Sequence, residues 1–557
     1  MSDLKSRLVF RTALVTFDMR HLLLILLALP TLAQTRRDAT SQPFALPGAL
    51  EVDAETKLAI RNAPPGDPRA LWTNFPAKVT PIAPSSDGHP RFAVRPDPAV
   101  TPGVYAVRLL TSTAVGPPIL VLIDDLPTTR KTPGNASPAT AQPIDFDSAV
   151  DGAFEPLTVD HYAFTGKNGQ QIAIEVYAQR LGFRADPVVT LIGPDGRELR
   201  TVDDTPGLGA DIRKGATLPA DGRYVIAVRD TEYAGAAELR YRLRLGDFPA
   251  VTVAIPTTDR RRQAALAFAG PDDGTTLNAQ PAPTPGGPAQ IAVKGPAGRA
   301  TAVVPIGSGP TPKPLADVGR TRTSAIAVTL PATVAGRFAP ASLPTHRFSL
   351  DLKKDQKLAV RARTRVLNSP AVLRLDLLGP DGAKLAESKP ASADEGLLDA
   401  TATADGQHTL IVSELTGATG PAHVYQLHLD LIQPGFTLDT ETDGLTVAPG
   451  GSAKLKVKLA RLDYDGPITL SLENAPPGWE LKTPTIAKGR KDTDLEIKAP
   501  ADAKPGTLFT CSIHARATIT GREVIERIST TPALRTYWPR VMTIPPDLDG
   551  VIAVGVK

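Results

Sequence analysis

The side chains able to do chemistry are few in this chain of 557 residues, and they stand apart. No His-Glu-x-x-His sets two imidazoles and a carboxylate on one helical face for zinc. No Gly-x-Ser-x-Gly elbow presents a nucleophilic serine. No glycine-rich loop opens a helix where phosphate could sit. The eight histidines are scattered. His423 and His428 are five apart on one strand-like stretch, so they point to opposite faces and cannot share a metal. His161 has several aspartates near it in sequence, but a triad needs Ser, His and Asp placed together in space, and loops are full of Ser and Asp. The single cysteine, Cys511, lies in the apolar run Leu508–Ile513. It can form no intrachain disulfide and reads as a buried thiol. Trp72, Trp479 and Trp538 each lie beside proline or in a turn. They could stack sugars, but packing at a sandwich edge is the simpler reading. The one basic run, Arg260-Arg261-Arg262, follows Asp259 and reads as a solvated loop. Basic residues number 62 and acidic ones 58, a mixed surface that excludes a nucleic-acid footprint.

The elements that would position such groups are strands. With 55 Pro and 45 Gly between alternating apolar runs, the composition suits many short strands joined by turns, not helices. A chain this long needs several cores. One pattern recurs: Gly193-Pro194-Asp195-Gly196 returns as Gly379-Pro380-Asp381-Gly382, and the strand beginning at Tyr241 returns at Tyr425. Turns and strands that keep their order at a near-constant shift indicate a duplicated domain. The expected class is all-β, a tandem of β-sandwiches. The expected modules are an immunoglobulin-like sandwich at 41–127, repeat copies at 144–248 and 325–433, a short immunoglobulin-like β domain at 249–312, and an immunoglobulin-like sandwich at 436–531. A tail at 532–557 is expected to cover a neighbour. The Pro-, Thr- and Ala-rich stretch 127–143 and Pro310–Pro314 read as linkers. In the strand from Tyr241 to Leu245, Tyr241, Leu243 and Leu245 point inward, with Arg242 and Arg244 outward to solvent.

Residues 1–33 read as a signal peptide. Met19-Arg20-His21 precedes an apolar run from Leu22 to Leu29, and small residues up to Ala33 offer a cleavage site. The export signal starts near residue 19, leaving Met1 and Met19 as alternative starts. No later stretch is long and apolar enough to anchor the mature chain in a membrane. The expected location is secreted, periplasmic or cell-surface.

The first repeat carries Asp160-His161-Tyr162-Ala163-Phe164, Gly169-Gln170, Asp186-Pro187, the Gly193–Gly196 turn, Asp203-Asp204, Asp221-Gly222-Arg223-Tyr224 and Tyr241-Arg242-Leu243. In order and spacing, over about 105 residues, this resembles the bacterial pre-peptidase C-terminal (PPC) domain. The resemblance implies a β-sandwich jelly roll of the kind appended to secreted hydrolases or set in tandem in surface proteins. It also implies calcium as a candidate cofactor, since some members of that fold bind it. Asp186, Asp203, Asp204 and Asp211 are the carboxylates nearest that role. Calcium takes six to eight oxygens, which clustered loop aspartates help supply. The alternative is turn chemistry, with Asp203-Asp204 opening a turn and Asp186 capping a strand end. The second copy lacks the pair, and its Asp186-Pro187 step reads as Asn368-Ser369-Pro370. His346 stands where Asp160 stood.

These readings point to an exported, non-catalytic protein with a binding, adhesion or structural role at the cell envelope. Its partner would be a protein or polysaccharide, and stiff linkers would hold the modules out as an extended rod. The alternative is a secreted hydrolase, a peptidase or its accessory subunit, whose PPC-like domains assist substrate binding. After the β modules are assigned, no unassigned stretch is long enough for a protease domain.

Overall fold

The computed structural model describes residues 42–84, 86–255, 266–269, 276–279, 290–295, 300–305, 313–314, 325–339, 343–388 and 396–557. The expected signal peptide and Arg260–Arg262 lie outside them. The chain divides into two units, 1–42 and 43–557, and the second holds the sandwiches. It is all-β, a tandem of β-sandwiches.

The first sandwich pairs a sheet ordered Phe44–Leu46, Thr56–Arg61, Arg91–Pro96, Ala77–Ile82 with one ordered Ala49–Glu51, Val115–Asp124, Gly103–Thr111, Pro68–Thr73. Alternation places Tyr105, Val107 and Leu109 in one core with Ile119, Val121 and Ile123. The run around Leu120 is apolar at every position because both of its faces are covered. Leu120 lies beneath Trp538, and Leu122 lies against Tyr177, Leu181 and Phe183.

The duplication is explicit in the topology. The first copy has β1 (Thr128–Arg130), β2 (Gln142–Pro143), β3 (Ser148–Ala153), β4 (Asp160–Gly166), β5 (Gln171–Tyr177), β6 (Pro187–Ile192), β7 (Glu198–Val202), β8 (Ile212–Thr217), β9 (Gly222–Asp230) and β10 (Arg240–Gly246). The second has β11 (Lys313–Pro314), β12 (Ile326–Ala327), β13 (Ala332–Arg337), β14 (Thr345–Leu352), β15 (Lys357–Arg363), β16 (Leu373–Leu378), β17 (Lys384–Glu387), β18 (Leu397–Thr401), β19 (Gly406–Glu414) and β20 (Val424–Leu431). The sheets of the first run β2-β4-β9-β6-β7 and β8-β5-β10-β3-β1. Those of the second run β12-β14-β19-β16-β17 and β18-β15-β20-β13-β11. Every neighbour relation is kept.

Several expectations change. The stretch 127–143 is no free linker: β1 pairs in parallel with β3, and β2 with β4. Lys313–Pro314, expected in a linker, pairs with β13 in the same way. The repeat therefore begins some fifteen residues earlier than its alternating strands suggest, because two- and three-residue edge strands carry no periodicity to read. The described part of 249–312 forms small sheets at Val253–Ile255, Leu266–Ala269 and Thr276–Ala279, and at Gln290–Lys294 and Thr301–Pro305. Val251, Ile291, Ala302 and Val304 share a core with Ala149 and Ala173 on the outer face of the first copy. In the last sandwich, Ile552–Val556 from the tail pairs with Leu508–Ile519 and Gly444–Val447, so the tail completes that module. Its helix α1 (Thr531–Tyr537) sets Leu534 and Trp538 on Ala106 and Leu120 of the first sandwich.

The modules are also locked by charge, which counts against independent beads on stiff linkers. Arg242 and Arg244 do point away from the sandwich core, yet both are 1% exposed. The end of the first sandwich and residues 249–255 and 300–305 cover that face. Arg242 donates to Asp124 at 2.7 Å and to Asp151 at 2.8 Å. Arg244 donates to Glu175 at 2.6 Å and to the Thr301 carbonyl at 2.9 Å. Arg213 donates to Glu175 and to the carbonyls of Val251 and Val303. Burial alone would raise the Glu175 carboxyl, but Arg213, Arg180 and Arg244 outweigh it and hold it down to about 2.

Candidate functional site

The antiparallel hairpin β6–β7 carries the Gly193–Gly196 turn at one end and three aspartates at the other. The turn closes with the Gly196 amide donating to the Gly193 carbonyl at 3.0 Å. Gly196 sits at φ +79°, a conformation glycine adopts without cost. Val189 pairs with Val202, so Asp186, ahead of β6, meets Asp203 and Asp204, which follow β7. One carboxylate oxygen from each lies within 4.8 Å of the others. Asp203 and Asp204 are exposed, and Asp186 is half-buried.

Thr231 ties the group together. Its amide donates to the Asp186 carbonyl at 2.7 Å, and its hydroxyl to Asp203 at 3.4 Å. Asp230 takes the Asp186 amide at 3.0 Å and is otherwise occupied by the amides of Glu232 and Ala234. The Asp186 carboxyl is raised by partial burial and by the charges of Asp203 and Asp230, against the Thr231 bond and Arg540. Asp204 is raised by partial burial and by the charges of Asp186, Asp203 and Asp211. Repelling carboxylates with free oxygen lone pairs suit a hard cation, with water and backbone carbonyls completing the shell.

Asp211 does not join them. It is fully buried and accepts from Arg180 Nε at 2.6 Å and from the amides of Ala178 and Gln179 at 2.9 and 2.7 Å. Its work is to hold the 3-10 turn Gln179–Leu181. Sequence spacing cannot separate a turn anchor from a ligand, since both are loop aspartates. In the second copy, β16 begins 186 residues after β6, so exposed Val372 holds the place of Asp186. Asn368 instead matches Gly182: both end a 3-10 turn in the left-handed conformation.

Other candidates resolve into structure. His161 Nδ1 faces the carbonyls of Val159 and Asn135, at 3.0 and 3.2 Å, not an aspartate. Cys511 is buried, which pushes its thiol up to about 12 and leaves it a poor nucleophile. Trp538 is 5% exposed, and Trp479 meets Phe509 edge to face. Trp72 packs beside the Trp538 cluster. Among the described residues, no helix is long and apolar enough to cross a membrane.

No protein-family model matches the chain. A probable subtilase-type serine protease of Deinococcus radiodurans is 27% identical over 177 residues, 26% of this chain and 23% of that protein. The chain thus spans less than a quarter of that relative's length. Among solved structures, a Bifidobacterium dentium β-glucuronidase complexed with coumarin-3-O-glucuronide aligns with 33% of this chain and 38% of its own, at 9% identity and TM-score 0.20. Trypsin-activated α2-macroglobulin of Escherichia coli aligns with 88% of this chain and 30% of its own, at 12% identity and TM-score 0.16. Likenesses at such TM-scores carry no function across.

Proposed function

We propose that this is an exported, non-catalytic protein of the cell envelope, built on two PPC-like sandwiches, which binds a protein or polysaccharide and uses calcium to order its first repeat. The observation that carries the calcium part of this reading is the convergence of Asp186, Asp203 and Asp204 at the open end of the β6–β7 hairpin. Calcium there would neutralise three mutually repelling carboxylates and brace the loops that present a binding edge. It would stabilise the folded chain by mass action, about 2.7 kcal/mol when calcium stands at 100 times its dissociation constant. Purified protein should therefore melt higher in millimolar calcium than in chelator. Asp186→Asn/Asp203→Asn/Asp204→Asn should melt alike in both. A wild-type melting temperature indifferent to calcium removes the cation from the proposal.

One observation favours a second reading, that of a secreted peptidase or its accessory subunit: the partial likeness to the subtilase-type protease. A fluorescent casein assay separates the first reading from a peptidase. The first reading expects no cleavage. Cleavage abolished by a single substitution in the purified chain would replace it.

A further inference from the structure

A cleft between the first sandwich and the first repeat is lined by more basic than acidic side chains. Its volume is about 640 Å³, and six basic side chains line it: Lys57, Arg61, Arg91, Arg130, Lys131 and Arg240. The three acids in its wall are already engaged. Asp87 pairs with Arg61 at 2.8 Å, and Glu155 with Lys131 at 3.1 Å. Asp151 faces Arg242, behind the wall, and takes the Gly48 amide. Lys131 is further bound to buried Asp160 at 2.7 Å. Lys57, Arg91, Arg130 and Arg240 have no carboxylate within ion-pair distance among the described residues, and the Arg61 Nε is buried without a partner.

The arrangement is costly without a ligand. Arg240 is half-buried at the junction, its guanidinium 5.8 Å from the centre of the Phe44 ring. Its proton affinity is lowered by burial and by the neighbouring charges of Arg61 and Arg130, although Asp151 and Tyr241 oppose this. The half-buried Arg240 guanidinium, with Arg61 and Arg130 near it, gains an attractive partner if an anion enters the cleft. Guanidinium forks match carboxylate and phosphate oxygens in bidentate fashion. The volume lies within the range of small-ligand sites, while Leu46, Pro47, Phe154 and Pro156 give the cleft apolar walls.

We infer that this cleft binds a molecule carrying at least two closely spaced carboxylate or phosphate groups, clamped between Arg61, Arg91 and Lys57 of the first sandwich and Arg130 and Arg240 of the repeat. The site is separate from the aspartate cluster and stands whether or not calcium binds there, since its probes are titrated with protein stripped of calcium on a chelating resin and free of soluble chelator. Citrate and tripolyphosphate serve as carboxylate and phosphate probes in calorimetric titration at low ionic strength, with acetate and orthophosphate as comparators. The expected result is that at least one multivalent probe binds more tightly than its comparator, with an affinity that falls steeply with salt. Binding by citrate alone assigns carboxylate ligands, and by tripolyphosphate alone phosphate ligands. Arg130→Gln/Arg240→Gln should weaken the bound probe at least about tenfold. Without probe it should melt no lower than wild type, because repulsion is relieved. If that pair misfolds, Lys57→Gln/Arg91→Gln gives the same readout from the other wall. Absence of binding by both probes, or an unchanged dissociation constant in the folded variants, overturns the inference.

Discussion

Asp125, half-buried, and His346, buried, are titratable groups whose effects on stability run in opposite directions with pH. Asp125 is pushed up to about 6 by burial and by the adjacent charge of Asp124, which Arg244 and Thr301 only partly offset. Its folded value lies above its unfolded value, so the stability it contributes is full below about pH 4 and lost as pH rises through 6. Asp125→Asn should stabilise the protein at pH 8 by up to about 3 kcal/mol and leave it nearly unchanged at pH 4. Urea unfolding at the two pH values reads this, and an equal effect at both would refute it. His346 is depressed to about 4 by burial. Its Nδ1 pairs with the Tyr425 hydroxyl at 2.5 Å, the place that Asp160 fills beside Tyr241 in the first copy. The unfolded chain takes up a proton near pH 6.5 that the folded chain refuses, so stability is full above 6.5 and lost as pH falls towards 4. His346→Gln keeps a polar partner for Tyr425 and removes the titration. The drop in stability between pH 7 and 4 should then shrink by up to about 3 kcal/mol. An unaltered pH slope would show that His346 is already protonated or already exposed.

At the scale of elements, the glycines of the repeat separate two kinds of constraint. Gly196 and Gly382 close the hairpin turns at φ +79° and +80°, and an added Cβ would meet nothing within 4 Å. Gly152 and Gly336 lie beneath the rings of Tyr241 and Tyr425, and a Cβ there would stand 2.3 and 2.4 Å from each Cζ. Gly196→Ala should therefore cost about 1 kcal/mol, the backbone term alone. Gly152→Ala should cost more, of the order of 1–3 kcal/mol, because Tyr241 must shift and loosen its bonds to Tyr162 and Asp160. Equal losses on denaturation would dissolve the distinction. The turn glycines could be read from Gly-Pro-Asp-Gly, since that spacing implies a tight hairpin. Gly152 could not, because its constraint comes from a residue 89 positions away, 241 − 152. The same limit explains the site. Asp186, Asp203 and Asp204 were legible as a set because one hairpin joins them. Asp211 was misgrouped because its partner Arg180 is known only from the fold. Arg242 and Arg244 satisfied a rule of alternation that tells inward from outward, but not whether another module covers the outward face.

Across the whole of residues 43–557, modules meet through charges that neither side could bury alone. Arg108, on the first sandwich, donates to Asp443 of the last at 2.5 Å, with side chains 4% and 1% exposed. Tyr537 from α1 adds a bond to Asp443 at 2.9 Å. Removing one partner strands the other charge in low dielectric, which typically costs 3–5 kcal/mol, whereas replacing both with apolar groups is often neutral. Asp443→Ala should therefore destabilise by roughly that amount. Arg108→Met/Asp443→Leu should recover most of it. The larger consequence concerns cooperativity. The first sandwich is held on one side by Arg108 and Trp538 and on another by Asp124 with Arg242, so its unfolding exposes charged surface on both neighbours. Wild type should melt with the first sandwich, the first repeat and the last sandwich in one calorimetric transition. Asp443→Ala should split off a lower transition, accompanied by new proteolytic cuts in the 531–549 segment. A single transition and an unchanged cleavage pattern in that variant would mean that the remaining contacts, Trp538 on Leu120 and Arg242 on Asp124, suffice to couple the modules without this ion pair.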